Sequence, residues 1–131
     1  MATITKIEDM EIWQLARILA KDIGDLTDSE IFKEELALKK QIRTSSGSIM
    51  DNIAEGFGRA SRNEFINHLT IARGSAQETK SQLYRCQDHR LIDRINFQKL
   101  LDQSETLINR ISGLISYLVN TQLKGPKFRG R

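Results

Sequence analysis

The segment SIMDNIAEGFGR, residues 48–59, is the stretch from which the rest of the chain is best interpreted. Its apolar, small and polar residues alternate at the spacing of an α-helix, because Ile49, Ile53 and Phe57 recur every four residues. A second, polar stripe follows the same periodicity in steps of four, three and four. This stripe consists of Ser48, Asn52, Glu55 and Arg59. The segment therefore indicates an amphipathic helix with one apolar and one polar face.

The helix that contains this segment is predicted to begin between residues 29 and 36 and to end at Phe57. Its apolar and small positions form two adjacent rows, which implies contact with more than one partner helix. The first row is Ile42, Ser46, Ile49, Ile53 and Phe57, and the second is Leu36, Gly47, Met50 and Ala54. Gly58 is predicted to be the left-handed residue at the helix end, and with Gly56 to let the chain turn into the next helix.

A first helix precedes this one, over residues 9–26. Apolar residues recur there in steps of three and four, the pattern of one buried helix face. Trp13 flanks that face, and a tryptophan in such a position is typical of a core or interface anchor.

Two further helices follow residue 60. A regular four-three repeat of apolar and small residues over residues 64–88 predicts the third helix, with Ser61 and Glu64 as its capping box. A heptad pattern after Asp93 predicts the fourth, which ends at Lys124 before Gly125 and Pro126.

Four amphipathic helices with short connections indicate an all-α, up-down-up-down four-helix bundle. We expect a single domain over residues 1–124 and a basic C-terminal tail over residues 125–131. The lone cysteine, Cys86, fits a reducing compartment, and no run approaches the roughly 20 apolar residues of a membrane span. A cytoplasmic protein without membrane contact is expected.

The formal net charge is +3, but the charges are unevenly distributed. Residues 1–35 contain 4 Lys/Arg against 9 Asp/Glu, a balance of −5, and the remainder contains 16 against 8, a balance of +8. Either the basic remainder binds nucleic acid, or the acidic segment neutralises it within or between subunits. The nucleic-acid candidates are Lys39, Lys40, Arg43, Arg59, Arg62, Arg73, Lys124, Lys127, Arg129 and Arg131.

Candidate metal and catalytic groups do not form a complete set. Glu64 and His68 are four residues apart, not the three of a di-metal bundle motif, and Cys86 with His89 is only half of a zinc site. No nucleophile, base or phosphate cradle accompanies the carboxylates of Glu55 and Glu78. No metal, no cofactor and no enzymatic activity are therefore expected.

The polar stripe of residues 48–59 has a partner on the third helix, where Ser75, Glu78 and Gln82 lie at matching spacing beside Ile71. Both stripes can be ordinary solvated faces. The sharper hypothesis is that Asn52 and Glu55 hydrogen-bond across a helix or subunit junction and fix its register. The proposed interface or structural residues are Trp13, Ser48, Asn52, Glu55, Gly56, Gly58, Arg59, Gly74, Ser75 and Glu78.

Several sequence blocks together carry a family resemblance. They are MEIW at residues 10–13, LKKQIR at 38–43, Ser48 with NIAEGFGR at 52–59, EF at 64–65 and IARGS at 71–75. With these blocks the chain resembles, over about residues 10–118, the bacterial four-helix-bundle family first associated with intervening sequences in 23S ribosomal RNA genes. Met50 stands where that family often has proline, so a straighter second helix is expected.

The resemblance implies a left-handed bundle that assembles into a ring, commonly a homopentamer, with no established enzymatic activity. The chain is also similar to accessory proteins of diversity-generating retroelements, which are basic pentamers that bind reverse transcriptase and nucleic acid. The leading hypothesis is a self-associating module that binds RNA, DNA or a nucleic-acid-processing protein. The alternative is a structural or regulatory oligomer whose partner is another protein only.

Overall fold

The computed structural model of the chain describes the backbone of residues 4–124 and the side chains of residues 4–121. It contains four α-helices: α1 (Glu11–Thr27), α2 (Leu36–Gly58), α3 (Arg62–Asp88) and α4 (Arg94–Lys124). Two short 3-10 helices, Ile7–Asp9 and Glu30–Phe32, precede α1 and α2. The four predicted helices are confirmed, with ends that differ by a few residues.

Each helix buries the face that its periodicity predicts. On α1 the buried row includes Ile12, Ala16, Leu19 and Ile23. On α3 the four-three repeat from Phe65 to Leu83 is buried throughout, and on α4 the heptad positions line the same core. The hydrophobic effect along these rows is what holds the helices together.

The second row of α2 is less buried than the sequence suggests. Gly47, Met50 and Ala54 are half-buried, and Leu36 is 68% exposed. Leu36 begins α2, whereas α1 ends at Thr27, whose hydroxyl accepts a hydrogen bond from Arg43. Leu36 therefore lies about two turns beyond the end of α1, where that helix offers nothing to pack against.

Consecutive helices pack against each other, and α1 also packs against α4. Short connections make neighbours antiparallel, so the chain forms an all-α up-down-up-down four-helix bundle around one hydrophobic core. The α2–α3 contact is the most extensive and the α1–α4 contact the least. The left-handed sense of the bundle stays a prediction.

Helix caps define two of the connections. The Ser61 Oγ accepts a hydrogen bond from the Glu64 backbone N–H at 3.4 Å at the start of α3. At the start of α4, Asp93 accepts hydrogen bonds from the backbone and side chain of Asn96, and these lower the pKa of its carboxyl. The Ser61 half of the predicted capping box is confirmed, whereas the Glu64 carboxylate lies 3.6 Å from Arg59.

The prediction that Gly58 adopts the left-handed conformation is wrong. Gly58 is the last residue of α2, and the positive φ of 54° belongs to Ala60. The helix continues one residue further than predicted, and Arg59, which follows it, still donates its backbone N–H to the Gly56 carbonyl. Gly125 and Pro126, the predicted stop after α4, lie outside the described residues.

Within the part of the chain that the structure describes, no helix combines the length and the apolar character needed to cross a membrane.

Candidate functional site

The polar residues singled out in the sequence lead to the contact between α2 and α3. Side chains from both helices meet there in a continuous row, which we call the polar seam. It consists of Ser45, Ser48 and Asn52 on α2 and of His68, Ser75, Thr79 and Gln82 on α3. Its inner end is buried and its outer end reaches the surface.

The inner end is built around Ser45. Its hydroxyl donates to the Gln82 Oε1 at 2.6 Å and lies 2.8 Å from the Thr79 hydroxyl. Thr79 in turn donates to the Ser75 carbonyl at 2.9 Å. Ser45, Thr79 and Gln82 are each less than 9% exposed, so their mutual hydrogen bonds replace those that water would make.

The outer end is built around Asn52. Its Nδ2 donates to the carbonyl and the hydroxyl of Ser48 at 2.9 and 3.0 Å, and its Oδ1 lies 3.2 Å from the His68 Nδ1. The Ser48 hydroxyl is 2.9 Å from that of Ser75. Asn52, Ser48 and His68 are half-buried. Asn52 thus lies at a helix junction, where its amide connects the two helices.

Gly56 permits the close approach of the two helices at this end. A Cβ on Gly56 would lie 2.5 Å from the Cβ of His68 and 3.2 Å from a ring carbon of Phe65. Gly56 is buried and helical within the last turn of α2, so its role is close packing. The prediction that it helps the chain to turn is wrong.

Glu55 and Arg59 lie beside the seam on the surface. Arg59 donates to Glu55 at 2.8 Å within α2 and is 3.6 Å from the Glu64 carboxylate. The hydrogen bond from Arg59, and then the positive charge of His68, lower the pKa of Glu55. Both side chains of the Glu55–Arg59 pair are about half exposed. In the single chain Glu55 therefore bonds within its own helix, and a role at a subunit junction stays a prediction.

The other predicted interface residues are dispersed. Glu78 and Gly74 are exposed on α3, and Gly58 is exposed at the end of α2. Trp13 is half-buried on α1, with the guanidinium carbon of Arg17 5.7 Å from its ring centroid. The structure brings Ser48, Asn52, Gly56 and Ser75 together, with Glu55 and Arg59 beside them. Trp13, Gly58, Gly74 and Glu78 lie apart from this group.

Three members of the seam were not predicted from the sequence. Ser45 and Thr79 are absent from the two predicted polar stripes, and His68 was predicted only as a candidate metal ligand. Their signal was present, since Ser45, Ser48 and Asn52 recur in steps of three and four.

The basic residues proposed for nucleic-acid binding do not form one patch. Arg43 donates to Thr27, to the Gly24 carbonyl and to Asp28 at one end of the bundle. Arg73 lies on the α4 side of α3, where it donates to Ser112. The other predicted basic residues lie at the two opposite ends of the bundle or in the C-terminal tail. Lys39 and Lys40 lie near Arg43, Arg59 and Arg62 lie at the opposite end, and the Lys124 side chain with Lys127, Arg129 and Arg131 falls outside the described residues.

Ion pairs connect the acidic first segment to the basic remainder. Asp28 pairs with Arg43 at 2.8 Å and with Lys39 at 3.7 Å, and Asp22 pairs with Lys99 at 3.8 Å. Glu11 on α1 also pairs with Arg110 on α4. These contacts favour the interpretation that the two segments neutralise each other within the chain.

Metal ligands and the cysteine offer no further centre in the described part of the chain. No cluster of three or more His, Cys, Asp or Glu side chains there could hold a metal ion. Cys86 is fully buried, and burial raises the pKa of its thiol to about 11. A thiol in that environment is a poor nucleophile near neutral pH.

The profile of the 23S rRNA-intervening sequence protein family matches residues 8–113, which include all the helices but the end of α4. The chain belongs to this family. The polar seam lies entirely inside the matched region.

A solved structure shares the fold. It is the crystal structure of a protein of unknown function from the S23 ribosomal protein family of Bacteroides thetaiotaomicron. The two sequences are 27% identical, the TM-score is 0.74, and the match covers 79% of this chain and 97% of that one. No curated protein matches the sequence.

Proposed function

We propose that this family member is a non-enzymatic, self-associating bundle that forms a ring-shaped homo-oligomer, with five copies favoured, in the cytoplasm. In this proposal the assembled bundle binds RNA, DNA or a nucleic-acid-processing protein. The observation that carries the self-association is the set of large apolar side chains left on the outside of the bundle. They include Ile18, Leu36, Ile71, Ile95, Tyr117 and Val119.

The exposure of these side chains is substantial. Ile71 is 52% exposed on α3, Ile18 is 49% exposed on α1, and Ile95 is 83% exposed on α4. Isolated exposed apolar residues are normal in a monomer, but here every one of the four helices carries at least one large exposed apolar side chain. A second copy that covered them would recover the hydrophobic stabilisation that the single chain lacks.

Two glycines support the same proposal. Gly74 on α3 and Gly113 on α4 lie inside helices and are exposed, and an added Cβ would meet nothing within 4 Å. A glycine inside an exposed helix costs about 1 kcal/mol relative to alanine. No contact within the single bundle explains glycine at these two positions. A glycine there would let the backbone of a neighbouring subunit approach closely.

The polar seam supports a structural role rather than a catalytic one. Its hydroxyl, amide and imidazole groups lie within hydrogen-bonding distance of each other across the two helices. Groups engaged in this way hold the helices in register, and a reaction would have to break those bonds to use them.

Native mass spectrometry of the variant Ile71→Lys tests the self-association. A lysine at a covered interface leaves an unpaired charge, so the assembled mass should fall while circular dichroism still shows a helical protein. Gln77→Lys, on an exposed position of the same helix outside the stripe of Ile71, Gly74 and Glu78, is the matched control and should keep the assembled mass. Equal masses for the two variants would exclude α3 near Ile71 from the interface.

An RNA or DNA mobility shift at increasing salt tests the nucleic-acid half. Binding that uses several lysine and arginine contacts should weaken by about a thousandfold between 50 and 200 mM salt. Absence of any shift at the lower salt concentration would remove this half of the proposal.

A partner that is only a protein is the second candidate function. The observation that favours it is the pairing of Arg43, Lys39 and Lys99 with carboxylates of α1 and its connector, since paired cations have less free charge for phosphates. Affinity purification should then recover one protein in a defined ratio, with or without nuclease. Loss of that protein after nuclease treatment would instead favour nucleic acid.

A further inference from the structure

A cleft opens at the end of the bundle where α1 ends and α4 begins. Its volume is about 710 Å³, and it lies between the connector after α1, the α3–α4 loop and the first turns of α4. Leu26, Leu91 and Leu100 contribute to its apolar surface. Ile31, which is 52% exposed, stands at its edge. We call it the connector cleft.

The side chains around the connector cleft are charged, with a small excess of carboxylates. Asp22, Asp25 and Asp93 line it, together with two cations, Arg90 and Lys99. Lys99 is paired with Asp22 at 3.8 Å, and Asp25 is paired with Lys21 at 3.0 Å. On the connector, Glu30 and Glu34 are exposed and have no ion-pair partner among the described residues, and the exposed Lys33 lies beside Glu34. An occupant with an apolar side chain between positive charges would complement this surface.

The chain itself contains such a sequence. Residues 124–131 read KGPKFRGR, in which Phe128 is flanked directly by Lys127 and Arg129. Phe128 can fill an apolar cleft, and its neighbours can pair with carboxylates at the edge.

The tail of the same subunit cannot reach the cleft. Leu100 is the lining residue that lies furthest along α4, and the 24 residues from it to Lys124 span about 36 Å of helix. Phe128 follows Lys124 by four residues, which extend to about 14 Å at most. The α4 C-terminus lies at the opposite end of the bundle, so only the tail of another copy can arrive at the cleft.

We propose that the connector cleft binds the segment Lys127, Phe128 and Arg129 of a second copy of this chain. The inference rests on the proposed self-association and adds to it a specific contact made in trans. It also assigns the basic tail to a protein contact, in which its charges are not free for nucleic acid.

Cysteine crosslinking between two forms of the full-length chain tests this contact. One form carries Ile31→Cys and the other Gly130→Cys, which keeps Lys127, Phe128 and Arg129, and the two are co-expressed with different tags. The native Cys86 is kept because it is buried. On mild oxidation a disulfide-linked dimer of the two forms should appear on a non-reducing gel. Ser81→Cys, exposed on α3, replaces Ile31→Cys in the control and should give at least fivefold less dimer.

Charge reversal provides a second readout. Asp25→Lys in the chain that carries Ile31→Cys should lower the dimer yield several-fold, whereas Asp51→Lys, exposed on the outer side of α2, should leave it unchanged. A yield from Ile31→Cys no greater than that from Ser81→Cys would overturn the contact.

The native mass of the same mixture before oxidation separates the two proposals. An assembled mass without the crosslink overturns the tail contact alone. A monomer mass overturns the self-association and the contact with it.

Discussion

At the scale of single residues, Gly56 shows how one missing Cβ positions two helices. Replacing Gly56 with alanine would put a methyl group 2.5 Å from the His68 Cβ, and both atoms belong to packed helices. We expect Gly56→Ala to lower the free energy of unfolding by about 2 kcal/mol, because overpacking outweighs the better helix propensity of alanine. Urea denaturation measures the difference.

Gly58→Ala is the control for this substitution. The residue lies two positions further along α2, and an added Cβ would meet nothing within 4 Å. Its stability should stay constant or rise by up to about 1 kcal/mol. If both variants behave alike, the Gly56–His68 contact does not limit the approach of α2 and α3.

Cys86 is expected to make stability depend on alkaline pH. Burial raises its thiol pKa from 9.0 to about 11, so the folded state holds the proton more tightly than the unfolded state does. The contribution of the protonated thiol to the free energy of unfolding is complete below pH 9. It is lost as the pH rises through the pKa that the thiol has in the folded state. Between pH 9 and 10.5 it should reduce the free energy of unfolding by roughly 1–2 kcal/mol.

Urea denaturation of the chain and of Cys86→Ala over this pH range measures that contribution. Lysines and tyrosines also titrate there, so the informative quantity is the difference between the two pH profiles. The variant should lose less stability than the parent chain. Parallel profiles would show that the thiol ionises as easily in the folded state as in the unfolded one.

At the scale of elements, the polar seam fixes how α2 and α3 lie against each other. Ser45→Ala would leave the buried Gln82 carbonyl without its 2.6 Å donor, and an unsatisfied buried group costs about 1–3 kcal/mol. Ser46→Ala is the matched control, since the Ser46 hydroxyl donates at 2.8 Å to a carbonyl of its own helix, that of Ile42. Its stability should change by less than about 0.5 kcal/mol. Equal losses in the two variants would show that the seam adds nothing beyond helix packing.

The helices themselves could be predicted from the sequence because their signals are local. The four-three repeat of α3, the Ser61 cap and the Asp93 cap depend on residues at most a few turns apart. Leu36 was harder to interpret, because its burial depends on where α1 ends. The positive φ at Ala60 was also missed, since a glycine two residues earlier offered the simpler end to α2.

The seam could be predicted only in part. The two polar stripes contain Ser48 and Asn52 on α2 and Ser75 on α3, because a stripe is a property of one helix. Which residues meet across the junction depends on the register of α2 against α3, and that register places His68 beside Gly56. The periodicity of each helix alone does not determine the register between α2 and α3.

At the scale of the whole molecule, Asn52 and Glu55 distinguish folding from assembly. Asn52→Ala removes hydrogen bonds to Ser48 and His68, so its melting temperature should fall. Glu55 is exposed and bonds only to Arg59 on its own helix among the described residues, so Glu55→Ala should leave the melting temperature of a single chain nearly unchanged. A lower assembled mass for Glu55→Ala would place this carboxylate at a subunit junction. If both variants keep the assembled mass and melting temperature of the parent chain, the stripe is surface alone.

Self-association is the central proposal about the whole molecule, since in it a second copy covers the exposed apolar residues, approaches the helical glycines and fills the connector cleft. Native mass spectrometry at micromolar concentration measures it most directly. With a chain mass of 15.0 kDa, a ring of five copies should give about 75 kDa. A single species at 15.0 kDa under the same conditions would contradict the account.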